Sequence, residues 1–157
     1  MIILGIDPGT ATTGYGVIES TNNKFKLCEY GVIKTLPDLP LPLRLKKIYD
    51  NIKKLIKKYK PEIMAIEELF FSQNVKTAMS VSCARGVIML AAANSGIDVE
   101  EYTPIQVKQN IVGYGRAEKR QIQEMVKILL NLKEIPEPDD AADALALAIC
   151  GTNTRKI

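Results

Sequence analysis

The sequence predicts an α/β fold: a mixed five-stranded sheet that opens with an antiparallel three-strand meander and carries helices on both faces. Two observations predict it. Three short apolar runs follow one another at the start, separated only by turn-forming residues, and two more such runs are set between stretches of helical periodicity. Strands that alternate with helices form a mixed or parallel sheet, because a parallel neighbour is reached only through a crossover.

Taken in order, MIILGID (1–7) is a buried strand that ends on an acid and enters the turn DPGT. GYGVIES and KFKLCEYGVIKT are the next two strands, divided by the polar TNN. From about 42 to 59 the pattern turns helical, with Leu45, Ile48, Ile52, Leu55, Ile56 and Tyr59 on one side and Lys46, Lys47, Lys53, Lys54, Lys57 and Lys58 around the rest. EIMAIEE (62–68) is a fourth strand, paired beside the first. Residues 75–95 form a long helix, apolar nearly all round. IDVEEYT is the fifth strand, and helices follow at 104–111, at 118–131 with Ile122, Met125, Val126, Leu129 and Leu130 as its stripe, and at 139 to about 150 after the PEP break.

A length of 157 residues with 46% hydrophobic content suits one domain, 1–157. No uninterrupted apolar run reaches the roughly 18 residues of a membrane span, and MIILGIDPG lacks the features of a secretory leader. The expected location is cytoplasmic, without membrane contact. Cys28, Cys83 and Cys150 are far apart and not in metal-ligand spacing, so they read as small buried hydrophobes. Histidine is absent, which removes serine and cysteine triads, the imidazole base and His-containing metal sites. Hydrolytic chemistry here would rest on carboxylates and a metal. The net charge of +3 is modest, but basic residues crowd into 44–60 and 108–120.

Three sources of acid stand out: Asp7, the pair Glu67 and Glu68, and Asp139, Asp140 and Asp143 in PEPDDAAD. Each has an ordinary explanation alone. Asp7 suits a turn, the glutamates a polar strand end, and an aspartate after proline caps a helix. A cap needs one acid, however, and three fall within five residues. Asp140 and Asp143 share a helix face, with Asp139 about 100° round. Two carboxylates about 4 Å apart repel by roughly 4 kcal/mol at an effective dielectric of 20, so a cluster of them implies a cation. Phosphodiester hydrolysis with two magnesium ions about 4 Å apart needs several carboxylates that converge from separate elements in this way.

GIDPGT with TGYGVIE, AIEELFF, QVKQNIVGYGRAEK and DDAADALALAI, in this order through nearly the whole chain, resemble the RuvC family of Holliday junction resolvases. The resemblance implies an RNase H-like fold, a homodimer, and paired symmetric nicking of four-way DNA junctions in recombination and repair. It also implies Mg2+ as cofactor, two ions per site with Mn2+ as a substitute, and a RuvAB-type branch-migration complex as partner. Carried over residue by residue, it selects Asp7, Glu67, Asp140 and Asp143 as metal-holding and catalytic acids. It also places Lys108 and Lys119 near the scissile phosphate, with Lys119 counted among the catalytic groups. The final acid is His in some members and Asp143 here.

DNA needs cations on the rim of so acidic a site, and Lys108, Arg116, Lys119 and Arg120 are the candidates. A solvated helix face is the plain alternative, and the lysines of 46–58 read mostly as solubility. Phe70, which matches the family's aromatic, or Phe71 could stack on an unpaired base. In the 75–95 helix, Ala78, Ser82, Arg85 or Gly86, Met89 and Ala93 form a stripe of mostly small residues suited to a second copy, although packing on the sheet explains small residues equally well. Other readings are an RNase H-like nuclease acting on RNA and a non-catalytic junction-binding protein. DPGT is also like the phosphate turn of actin- and hexokinase-like ATPases, whose second lobe has no room here.

Overall fold

The structure is a computed structural model and describes residues 1–69 and 75–153. Phe70 and Phe71, of which Phe70 is the expected base-stacking residue, lie outside the described residues. Strands β1 (Ile2–Asp7), β2 (Thr12–Thr21) and β3 (Lys24–Lys34) form the antiparallel meander. Asn22 and Asn23 close its second hairpin at φ 51° and 61°, a left-handed pair that asparagine tolerates better than most residues and that matches the twist of the strands. Strands β4 (Ile63–Glu67) and β5 (Asp98–Tyr102) add in parallel, giving the order β3-β2-β1-β4-β5 of an RNase H-like sheet.

Helices α1 (Leu41–Tyr59) and α2 (Val75–Ala93) cover one face; α3 (Pro104–Val112), α4 (Lys119–Leu129) and α5 (Asp139–Cys150) cover the other. The alternation of strand side chains sorts the core accordingly. Leu4, Ile6, Met64 and Ile66 pack with α1 and α2, while Ile3, Ile63 and Ala65 pack with α3, α4 and α5. The central strands are thus apolar on both sides, which is why β1 and β4 read as continuous apolar runs.

The expected elements are all present, with boundaries within two residues. Two expectations need correction. Cys150 is buried as expected, but Cys28 is half-buried and Cys83 is exposed on α2, beyond the reach of the packed side of that helix. Helix α2 is, by length and composition, apolar enough to cross a membrane, although Lys76 and Arg85 interrupt its run; Ala84, Ile88, Ala91 and Ala92 pack it on the sheet face. Its outward stripe is also rotated from the expected one. Ala78 is buried, Met89 is half-buried against the core and Arg85 pairs with Glu101, so the exposed side is Val75, Met79, Ser82, Cys83, Gly86, Leu90 and Ala93. An all-round apolar helix carries no directional signal, so its burial was decided by tertiary packing.

Candidate active site

The parity that sorts the core also aims the acids. Asp7 continues the side of Ile3 and Gly5, and Glu67 the side of Ile63 and Ala65, so both point toward α5 at the carboxyl ends of adjacent parallel strands. Glu68 is exposed beyond the strand, where its backbone N–H donates to the Tyr102 carbonyl. The first turn of α5 brings Asp140, and the second Asp143, to the same place. The capping explanation of this segment fails: the N-cap is Pro138, with no side-chain cap bond, and Asp139 and Asp140 both lie inside the helix.

Glycine sets how closely α5 approaches. A methyl on Gly14, the β2 residue paired with Asp7, would overlap the Asp140 carbonyl oxygen, and one on Gly5 would overlap that of Ala144. Backbone therefore lies on backbone, and α5 is buried from Ala141 to Cys150 apart from the half-exposed Asp143.

The electrostatics record the convergence. The Asp7 carboxyl is pushed up to about 8 by burial first, then by the charges of Glu67, Asp143 and Asp140 and a hydrogen bond with Asp140. Glu67 is raised by burial and by Asp143, and Asp143 by burial against the opposing pull of Lys119. Lys119 Nζ lies 3.1 Å from Asp139 and 3.3 Å from Asp143. Burial lowers the pKa of this ammonium, but the two aspartates outweigh it and hold it above the usual lysine value. Asp139, hydrogen-bonded by Lys119 and Gln123, is pulled below its ordinary value. The role of Asp139 as the outer anchor of Lys119 was not evident from sequence; the pairing spans 20 residues and only folding reveals it.

Among the described residues, no three acids are drawn close enough to hold one ion as placed. They share a field rather than a single coordination point. Glu67, Asp143, Lys108 and Lys119 line one cleft, walled by Val107, Ile122 and Leu147. Lys108 reaches it from α3, whose start is fixed by a Thr103 and Gln106 capping box. Arg116 is exposed in the loop before α4 and outside this lining, and Arg120 is exposed and bridged to Glu124 at 2.9 Å along its own helix. Of the four predicted rim cations, the structure brings two to the acids. Two roomier clefts lie along α1, away from these acids, and among the described residues neither is lined by a carboxylate cluster.

Known proteins resemble this chain along nearly its whole length. The family model described as crossover junction endodeoxyribonuclease RuvC matches residues 3–151. The crossover junction endodeoxyribonuclease RuvC of Desulforamulus reducens is 63% identical over 150 residues, covering 96% of this chain and 92% of that relative. That of Ruminiclostridium cellulolyticum is 56% identical over 157 residues, covering 100% and 95%. Thermus thermophilus RuvC, solved in complex with a Holliday junction substrate, is similar with a TM-score of 0.93 at 37% identity over 97% of this chain and 93% of that one. By sequence along its whole length and by fold, this chain belongs to the RuvC family of crossover junction endodeoxyribonucleases.

Proposed function

We propose that this chain resolves Holliday junctions, cutting two opposed strands of a four-way DNA junction by paired symmetric nicks, with Asp7, Glu67, Asp140 and Asp143 holding Mg2+. Nucleases of this family are metal-dependent. The observation that carries the reading is that carboxylates from β1, β4 and α5 are gathered at the strand ends, where burial first, and then the charges of Glu67, Asp143 and Asp140, push Asp7 up to about 8.

The donor set fits magnesium: oxygen donors only, as hard divalent ions prefer, and mutual repulsion that a cation relieves. Lewis-acid activation of water and neutralisation of phosphate charge are the chemistry a bound ion supplies. The chain's own part is to position and to offset charge. Asp139 and Asp143 hold the Lys119 ammonium at the cleft mouth, where it can follow negative charge building on the phosphorus oxygens. Lys108, which lines the same cleft from α3, attracts the same phosphate. Among the exposed cations, Arg116 and Arg120 add longer-range attraction, and Phe70 is assigned the base-stacking role.

Two active sites are needed for paired nicks, and the outward face of α2 suits a homodimer: Val75, Met79 and Leu90 are 66%, 64% and 52% exposed along one stripe. A RuvAB-type motor is the partner that would deliver the junction. The deciding experiment is magnesium-dependent cleavage of a mobile synthetic junction beside linear duplex and RNA–DNA hybrid. Symmetric nicks confined to the junction support the reading; cleavage of the hybrid instead moves the function to RNA.

A further inference from the structure

Beside the acidic cleft, on the other side of the turn that follows Asp7, lies a second cup of opposite character. Arg44 and Lys76 line it together with Thr10, Thr12, Thr77 and Ser80, and no acid does so among the described residues. A chain of hydrogen bonds builds it from four separate elements. Arg44 Nε in α1 donates to Thr35 Oγ1 at 2.8 Å; Thr35 at the end of β3 donates to the Thr10 carbonyl; Thr10 Oγ1 donates to the Ser80 carbonyl of α2 at 2.7 Å; and Ser80 Oγ returns a bond to Thr10 Oγ1 at 2.6 Å. Thr10 and Thr35 are buried, so this linkage is protected from water and fixes the direction of the guanidinium. Arg44 has no carboxylate partner among the described residues, unlike Lys58, which is neutralised by Glu29 in the cleft between α1 and β3.

A guanidinium anchored through one nitrogen, with an ammonium lining the same cup and no counter-charge among the described residues, is chemistry for a phosphate group. Thr10 lies three residues past Asp7, so no more than about 11 Å from it. One DNA strand rises about 3.4 Å per nucleotide, which puts the cup within about three nucleotides of a phosphate held at the acids. We propose that the cup binds a backbone phosphodiester of the cut strand flanking the scissile bond through Arg44 and Lys76, and that Thr10, Thr35 and Ser80, whose hydroxyl protons are committed to one another and to main-chain carbonyls, act as positioning residues for it. The cup thereby fixes the direction in which the strand crosses the acids, since it supplies a second point on the backbone and two points define a line. This rests on the nuclease reading above and extends it.

The test is the salt dependence of DNA binding by the full-length chain in EDTA, which blocks cleavage, between about 50 and 200 mM salt. Binding of the four-way junction and of a linear duplex is measured for wild type, Arg44→Gln, Lys76→Gln and Lys54→Gln, the last removing the same charge from the outer side of α1. Loss of one phosphate contact lowers the slope of log K against log salt by about one. The proposal expects that reduction for Arg44→Gln and for Lys76→Gln, with severalfold weaker binding, and an unchanged slope for Lys54→Gln. An unchanged slope for the two cup variants overturns it, as does an equal fall for Lys54→Gln, which would mean a general field rather than a site. If Arg44→Gln does not fold, exposed Lys76 decides alone. Lack of junction preference by the wild type would count against the resolvase reading, and the slopes on duplex would still decide the cup.

Discussion

Asp7 and Glu29 are carboxylates on neighbouring parts of one sheet, and their environments are opposite. Glu29 accepts bonds from Lys58, Tyr59 and Tyr15, and its pKa falls, chiefly through Lys58. Asp7 is buried among other acids and its pKa climbs to about 8. The same fold supplies one carboxylate with every partner it can take and gives the other only like charge. The difference separates a residue that fastens α1 to β3 from one placed for a cation that the protein itself does not provide.

The largest expected effect breaks that comparison at Asp7. Asp7→Asn removes cleavage by about 10³-fold or more, the scale of several kcal/mol of lost metal-assisted stabilisation, while junction binding in EDTA stays within a few fold. Equal loss of both would assign Asp7 to folding. Lys119→Gln is next, with cleavage down about 10² to 10³-fold and the melting temperature nearly unchanged, because this ion pair is largely exposed. Gly14→Ala forces α5 outward from β2 and displaces Asp140; a shift near 1 Å costs about 10²-fold in single-turnover cleavage. Glu29→Gln leaves cleavage unchanged and lowers the melting temperature by a few degrees, measurable by calorimetry.

The last comparison is in pH. Asp7 binds its proton more tightly folded than unfolded, so its contribution to stability is complete below about pH 4 and is lost as pH rises through about 8. Glu67 and Asp143 are raised as well and act in the same direction. The metal-free protein should therefore melt at falling temperature from pH 5 to pH 8, with a shallower slope in Asp7→Asn, and magnesium should restore stability at pH 8. A melting temperature that ignores magnesium beyond a monovalent-salt control would contradict the clustered-acid site.

Much of this was legible in the chain. Strand and helix order followed from period and from turn residues such as Asn22 and Asn23. The acids were visible as types, but periodicity alone left Glu67 and Glu68 open, because β4 is buried on both sides and shows no alternation. Only pairing to β1, with Ile3 and Ala65 on one side, fixes which glutamate faces α5. The exposed side of α2 was misjudged at Ala78 for a related reason: a helix apolar all round does not say which side is covered. The Arg44, Thr35, Thr10 and Ser80 linkage was invisible, since it joins residues up to 70 positions apart whose types alone are unremarkable.

The glycine floor under α5 has a wider consequence. Where side chains separate two elements, a change of one methylene anywhere between them adjusts their spacing, and selection can tune it by degrees. Between β1, β2 and the first turns of α5 there is little side chain to change, because Gly5 and Gly14 bring main chain against main chain. The separation of Asp7 from Asp140 is thus insulated from drift in the apolar core, which can exchange leucine for isoleucine or methionine without moving the acids. Such a site is tolerant of sequence change around it and brittle at two positions that carry no chemistry.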